Sequence, residues 1–231
     1  MFFRDRIVSI KPGDRVLEIG PGGSPHPRAD VFLEKRFADE NEAEKQRGFT
    51  PPLRTAKPVV YYDNVPFPFR DAEFDYVICS HVIEHVEDVD AFVSEIARVG
   101  KRGYIEYPSI YFEFIYNIPE HLVLVARVQD TILWLPKREA GLARFAAVQH
   151  FFYDALKQGH TAMVDDLKEF LIQGFEWEGW LRSRKAQTID ELVFHEGEYQ
   201  IPPVVKKSAG HTRLQRFAAV LKRAVNFGGR W

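Results

Sequence analysis

The sequence predicts an α/β fold: a doubly wound, mostly parallel sheet followed by an aromatic-rich C-terminal extension. Three observations support this. Short apolar runs recur between turn residues over the first 110 positions. The segments joining them are helical or loop-like rather than tight hairpins, as parallel pairing requires. Beyond Pro108 the pattern changes, and much of the chain's aromatic content (19 Phe, 9 Tyr and 4 Trp in 231 residues) falls there.

The elements follow in order. Arg15-Val16-Leu17-Glu18-Ile19 is an apolar run between Pro12-Gly13-Asp14 and Gly20-Pro21-Gly22-Gly23, which reads as a buried strand between two turns. Asp30–Glu34 is a second strand ending in an acid. Residues 36–50 are charged and lack periodicity, so a loop or short helix is expected. Val59–Tyr62, followed by Asp63-Asn64, is a third strand, and Phe74–Ser80 a fourth. A helix fits Asp90–Val99, with Asp88 or Asp90 as N-cap, an apolar face of Phe92, Ile96 and Val99, and Gly100 to end it. Gly103–Tyr107, closed by Pro108, is a fifth strand.

In the extension, Leu122–Val128 and Thr131–Leu135 flank Gln129-Asp130 as a hairpin. Residues 142–157 and 161–172 have helical patterning, and Phe175–Trp180 reads as another strand. Gly210–Gly228 is a basic amphipathic helix with Leu214, Phe217, Leu221 and Val225 along one side. The expected organisation is a sheet domain over 1–135, an extension completing or covering it over 136–204, and the basic helix over 205–231.

Composition narrows the function. A lone cysteine, Cys79, within an apolar run, leaves no internal disulfide, no multi-cysteine metal site and no cluster for radical chemistry; a buried core thiol is expected. No apolar stretch resembles a signal peptide or a membrane span, which points to a cytoplasmic setting. The formal charge of −2 is unevenly spread: residues 203–231 carry seven basic groups and no acid. That helix would pack on the domain or touch the anionic inner face of a membrane peripherally. Nucleic acid is not an expected partner, because the acidic remainder opposes a polyanion.

Three acids, Glu18, Glu34 and Asp63, fall at or just beyond successive strand ends, where open α/β sheets bind ligands. Glycines at 20, 22 and 23 let backbone approach a ligand closely. An acid ending the second strand suits the two hydroxyls of a ribose, and one after the third can accept from an exocyclic amine. Together these outline a nucleoside site rather than a phosphate cradle.

Val16-Leu17-Glu18-Ile19-Gly20-Pro21-Gly22, Glu34, Asp63-Asn64-Val65-Pro66-Phe67 and Phe74–Val86 stand in order at consistent spacings. In these motifs, and in Glu95–Val99 and Gly103–Pro108, the chain resembles class I S-adenosylmethionine-dependent methyltransferases, the type 11 group, over roughly residues 12–108. The resemblance implies a Rossmann-like domain holding S-adenosylmethionine through Glu18, Gly20, Gly22, Glu34, Asp63, Asn64, Ser80 and His81. It also implies methyl transfer by in-line displacement to a small-molecule or lipid-linked acceptor. His81 and His85 are the candidate general bases, and Tyr107, Glu113 and His121 the candidate substrate contacts; no resident metal is expected. Ser24 replaces a third glycine often found in the first motif. With only about ten residues joining the first two strands, a regular first helix is not expected.

Three other readings compete. His81-Val82-Ile83-Glu84-His85 spells H-x-x-E-H, a zinc-peptidase pattern that needs both histidines on one face of a continuous helix. A nicotinamide dehydrogenase would need glycine at position 25, which is proline. The third is a methyltransferase-like fold that binds without reacting, or associates with a membrane.

Overall fold

The computed structural model describes residues 1–47 and 51–193. These fall within one compact unit, Met1–Gln200. The basic helix expected over 210–228 lies outside the described residues. Among the described residues no helix is long and apolar enough to cross a membrane.

The strands and helices run β1 (Val16–Ile19), β2 (Val31–Lys35), α1 (Glu40–Arg47), β3 (Val59–Tyr62), β4 (Tyr76–Ser80), α2 (Val89–Val99) and β5 (Arg102–Pro108). They continue as α3 (Ile110–Tyr116), β6 (Val123–Val128), β7 (Thr131–Pro136), α4 (Ala146–Lys157), α5 (Ala162–Leu171), β8 (Ile172–Glu178) and β9 (Arg182–Lys185). The main sheet has the order β3-β2-β1-β4-β5-β8. Its first five strands are parallel, and β8 pairs antiparallel with β5 from Arg102–Glu178 to Pro108–Ile172. The strand order reverses direction between β1 and β4, so the ligand crevice of a doubly wound sheet opens above the ends of those two strands.

Strand alternation divides the core. Leu17, Ile19, Val77, Cys79 and Ile105 point to one face, where they meet Phe92, Val93, Ile96 and Val99 of α2. Val16, Phe32, Tyr76, Ile78 and Tyr104 point to the other, against Phe3, Phe112, Tyr116, Val164 and Leu171. β1, β4 and β5 are buried along their whole lengths, which is why they read as continuous apolar runs. Cys79 is fully buried. α2 begins where expected: the Asp88 carboxylate accepts from Ala91 N at 3.0 Å, and the helix ends at Gly100.

The extension completes the domain rather than standing apart. It supplies β8 to the main sheet and β9 to a second, three-stranded sheet of order β6-β7-β9. The predicted hairpin forms, with Val128 opposite Thr131 and Gln129 at a φ of 54°. The aromatic segment after Pro108, given no element from sequence, is helix α3; it buries Ile110, Phe112 and Tyr116.

Residues 2–9 are held against the sheet by two acids, the buried Glu106 and the partly buried Glu176. Glu106 accepts from Phe2 N at 2.7 Å and Phe3 N at 2.9 Å. Glu176 of β8 accepts from Val8 N, Ser9 N and Ser9 Oγ at 2.8–3.1 Å, and from the Tyr76 hydroxyl at 2.6 Å.

Candidate functional site

A cleft of about 1350 Å³ opens over the C-terminal ends of β1, β2 and β4. Gly20, Gly22, Glu34, Asp63, Asn64, Ser80, His81, His85 and His121 all line it, so most of the residues singled out from sequence converge on one space.

The glycine turn after β1 is built without a helix. Residues 20–30 contain no helical residue, in agreement with the short crossover. Gly20 and Gly22 have φ of 58° and 54°. A Cβ at Gly20 would stand 2.5 Å from Val82 Cγ2, so both backbone angle and space require glycine there. At Gly23 the close neighbour is Pro51, 2.4 Å from a Cβ, making that glycine a packing requirement.

Glu18 does not line the cleft. It is buried beneath the turn and accepts from His26 N at 2.7 Å, closing the 20–26 loop back onto β1. Burial pushes its carboxyl up to about 7, against the His26 hydrogen bond and the positive charge of Arg4. Arg4 also donates to the Ser24 and Pro25 carbonyls at 2.6 and 3.3 Å. Glu18 therefore shapes the loop instead of offering its oxygens to a ligand. Glu34 leaves β2 at the cleft wall, while Asp63 is largely exposed, 3.7 Å from Arg36 Nε.

At the end of β4 the backbone turns sharply. His81 has a φ of 56°, unusual for a residue with a side chain, and its N–H donates to Glu106 O. Its ring lies between two buried acids, Nδ1 3.3 Å from Glu84 Oε1 and Nε2 3.2 Å from Glu106 Oε1. Burial disfavours its charge, but Glu106 and Glu84 outweigh that and raise its pKa to about 9. His81 is thus held as an imidazolium, which suits it to orientation and not to accepting a proton. Glu106 also accepts from Ser80 Oγ at 2.8 Å and Tyr104 Oη at 3.0 Å, which brings Ser80 under the cleft floor.

The H-x-x-E-H helix does not form. Ile83–His85 is a single 3-10 turn, and the positive φ of His81 breaks continuity before it. The two histidines therefore do not share a helix face. His85 instead meets His121 edge-on, with ring centroids 4.7 Å apart, and burial lowers its pKa.

Two of the predicted substrate contacts are placed elsewhere. Tyr107 is fully buried in the core beside Phe175 and does not reach the cleft. Glu113, also buried, anchors its neighbours: it accepts from His121 Nδ1 at 2.5 Å and Lys137 Nζ at 3.0 Å. Of the three, His121 faces the cleft. Both corrections have one cause. Tyr107 lies within β5 on a face packed into the core and Glu113 lies buried on α3, so proximity in sequence to the strand end does not give access. Sequence reasoning misses Glu106 and Lys137. A signal existed for the first, since a carboxylate inside the apolar run Gly103–Tyr107 must find partners when buried.

The doubly wound strand order, the glycine turn above β1 and the acids Glu34 and Asp63 at the crevice are the features on which the resemblance to class I S-adenosylmethionine-dependent methyltransferases rests. Residues 39–105 match the family model described as a methyltransferase domain, that of type 11. Comparison with curated proteins gives no match. Among solved structures, the chain is similar to the YcgJ protein of Bacillus subtilis, at 22% identity and a TM-score of 0.34 over 49% of this chain and 56% of that one. A putative methyltransferase from Bacillus halodurans C-125 gives 19% identity and 0.34 over 48% and 55%. An S-adenosylmethionine-dependent methyltransferase from Mesorhizobium loti gives 16% and 0.36 over 59% and 62%. The matches thus span less than two thirds of each of these chains.

Proposed function

We propose that this protein transfers a methyl group from S-adenosylmethionine to a small-molecule or lipid/glycan-type acceptor by in-line displacement. The observation that carries this reading is the continuity of the cleft. The same cleft is lined by Gly20, Gly22, Glu34, Asp63 and Asn64 and by Phe112, His121, Leu122, Tyr153 and Leu156. Gly20 and Gly22 have the positive φ angles of a turn without side chains and both line the cleft, so the residues present fit a close-lying nucleoside.

In this reading Glu34 accepts from the ribose hydroxyls, and Asp63 with Asn64 faces the adenine side. The bound cofactor supplies an electrophilic methyl on a sulfonium. His81 is fixed by its two acids beside that region, and His85 and His121 face the acceptor. The apolar walls at Phe112, Leu122 and Leu156 exclude water from the reacting atoms and favour an acceptor with an apolar body.

Titration calorimetry with S-adenosylhomocysteine tests the reading. Binding is expected in the wild type, and Glu34→Ala should weaken it by about 10- to 100-fold, the worth of hydrogen bonds to a charged group. The helix-free crossover after β1 favours one other reading, a methyltransferase-like protein that no longer reacts. Wild-type protein that is folded but binds no S-adenosylhomocysteine would establish that reading instead.

A further inference from the structure

We infer that Glu84, His85 and His121 form a binding site for a zinc-class divalent cation in the wall of the cleft. One ligand atom from each of the three side chains lies within 4.8 Å of the others. Glu84 is fully buried, yet neither carboxylate oxygen makes a hydrogen bond among the described residues. Its approach to His81 Nδ1, at 3.3 Å, does not have hydrogen-bond geometry. The His81 imidazolium offsets the charge of this carboxylate from 3.3 Å, and both of its oxygens keep lone pairs open to a second cation.

The two histidines are already set for ligation. His85 Nδ1 lies 3.1 Å from the Glu120 carbonyl, and His121 Nδ1 lies 2.5 Å from Glu113 Oε1. With Nδ1–H donated in each case, the Nε2 lone pair is left to bind. A backbone carbonyl or carboxylate on the second nitrogen is the arrangement that orients metal-bound imidazoles. Lys137, bonded to Glu113 Oε2, fixes that carboxylate in turn.

The fold also pre-positions the set. Leu122 N donates to Glu84 O at 2.7 Å, so the strand entry carrying His121 is tied to the turn carrying Glu84 and His85. Two imidazoles and one carboxylate suit zinc and its first-row neighbours, and not magnesium. All three residues face the cleft, so a cation held by them keeps a coordination position open there. Under the methyl-transfer reading, on which this last point rests, that position would take and polarise an acceptor oxygen. The set differs from the H-x-x-E-H pattern, because His81 is outside it.

The test uses the full chain, stripped with chelator and titrated with Co²⁺ while its visible absorption is followed, with zinc content measured after dialysis. Absorption saturating at one equivalent and displaced by Zn²⁺ is expected, with a Zn²⁺-dependent rise in Tm. His121→Ala should abolish the absorption, and Glu113→Gln should weaken Co²⁺ binding by about 10- to 100-fold. If either variant fails to fold, the wild-type titration and Tm shift decide. Wild-type protein that takes up neither Co²⁺ nor Zn²⁺, or a folded His121→Ala variant that binds as well as wild type, overturns the site. S-adenosylhomocysteine titration of the same samples separates the two readings, since loss of the metal site leaves the residues assigned to the nucleoside intact.

Discussion

Glu18 should make the native state less stable as the pH rises through neutrality, and Glu18→Gln should remove that dependence. The carboxyl is 2% exposed and burial raises its pKa from 4.5 to about 7. Between those values the folded protein keeps a proton that the unfolded chain has released. The unfolded state therefore binds fewer protons, and stability falls as pH increases across this window. Below pH 4.5 both states are protonated and the effect vanishes. Above pH 7 it reaches its full size, roughly 3 kcal/mol, at 1.36 kcal/mol per pKa unit. Glutamine matches the protonated acid in shape and keeps an oxygen to accept from His26 N. Urea denaturation of both proteins at about pH 4.5 and pH 8 gives the comparison. Glu18→Gln should be equal to wild type at the lower pH and more stable at the higher by about 2–3 kcal/mol. A variant less stable than wild type by the same amount at both pH values would refute the raised pKa and the buried, loop-closing role derived from it.

Three further outcomes are expected. Gly20→Ala forces a Cβ to 2.5 Å from Val82 at a φ of 58°, so S-adenosylhomocysteine affinity by calorimetry should fall by about tenfold or more, from about 1–3 kcal/mol of strain. Glu106→Ala strands the N–H groups of Phe2 and Phe3 and the hydroxyls of Ser80 and Tyr104; denaturant unfolding should show a loss of about 3–5 kcal/mol. Asp88→Ala removes the cap of α2 and should cost about 1 kcal/mol, visible in the same assay.

The parallel sheet was legible because burial on both faces leaves its strands apolar from end to end; Val16–Ile19 and Tyr76–Ser80 stand out without any partner in view. Gly20, Glu34 and Asp63 were legible because a strand's C-terminal end gives them one common address. β9 was not, since Arg182-Ser183-Arg184-Lys185 carries no apolar alternation and is a strand only because β7 offers it an edge. Helix α3 was hidden by aromatic residues that fit either state. The meeting of His85 with His121, and of Glu113 with Lys137, depends on a chain reversal between α3 and β6 that no local pattern encodes. Tyr107 and Glu113 were misplaced for the same reason, because which way a side chain faces in or after β5 is a tertiary property.

The strap of residues 2–9 has a consequence for how the chain is assembled. Glu106 meets its backbone donors across more than 100 positions, and Glu176 meets Val8 and Ser9 across 168 and 167. Residues 2–9 therefore leave the ribosome well before the β8 strand that helps dock them. Until β8 has been synthesised, the Tyr76 hydroxyl and the donors of Val8 and Ser9 wait without their acceptor, and the sheet keeps a bare edge at β5. Docking of residues 8–9 on β8 is then a late closure step across the sheet. Contacts this distant in sequence slow folding, so this closure is where a nascent chain would linger.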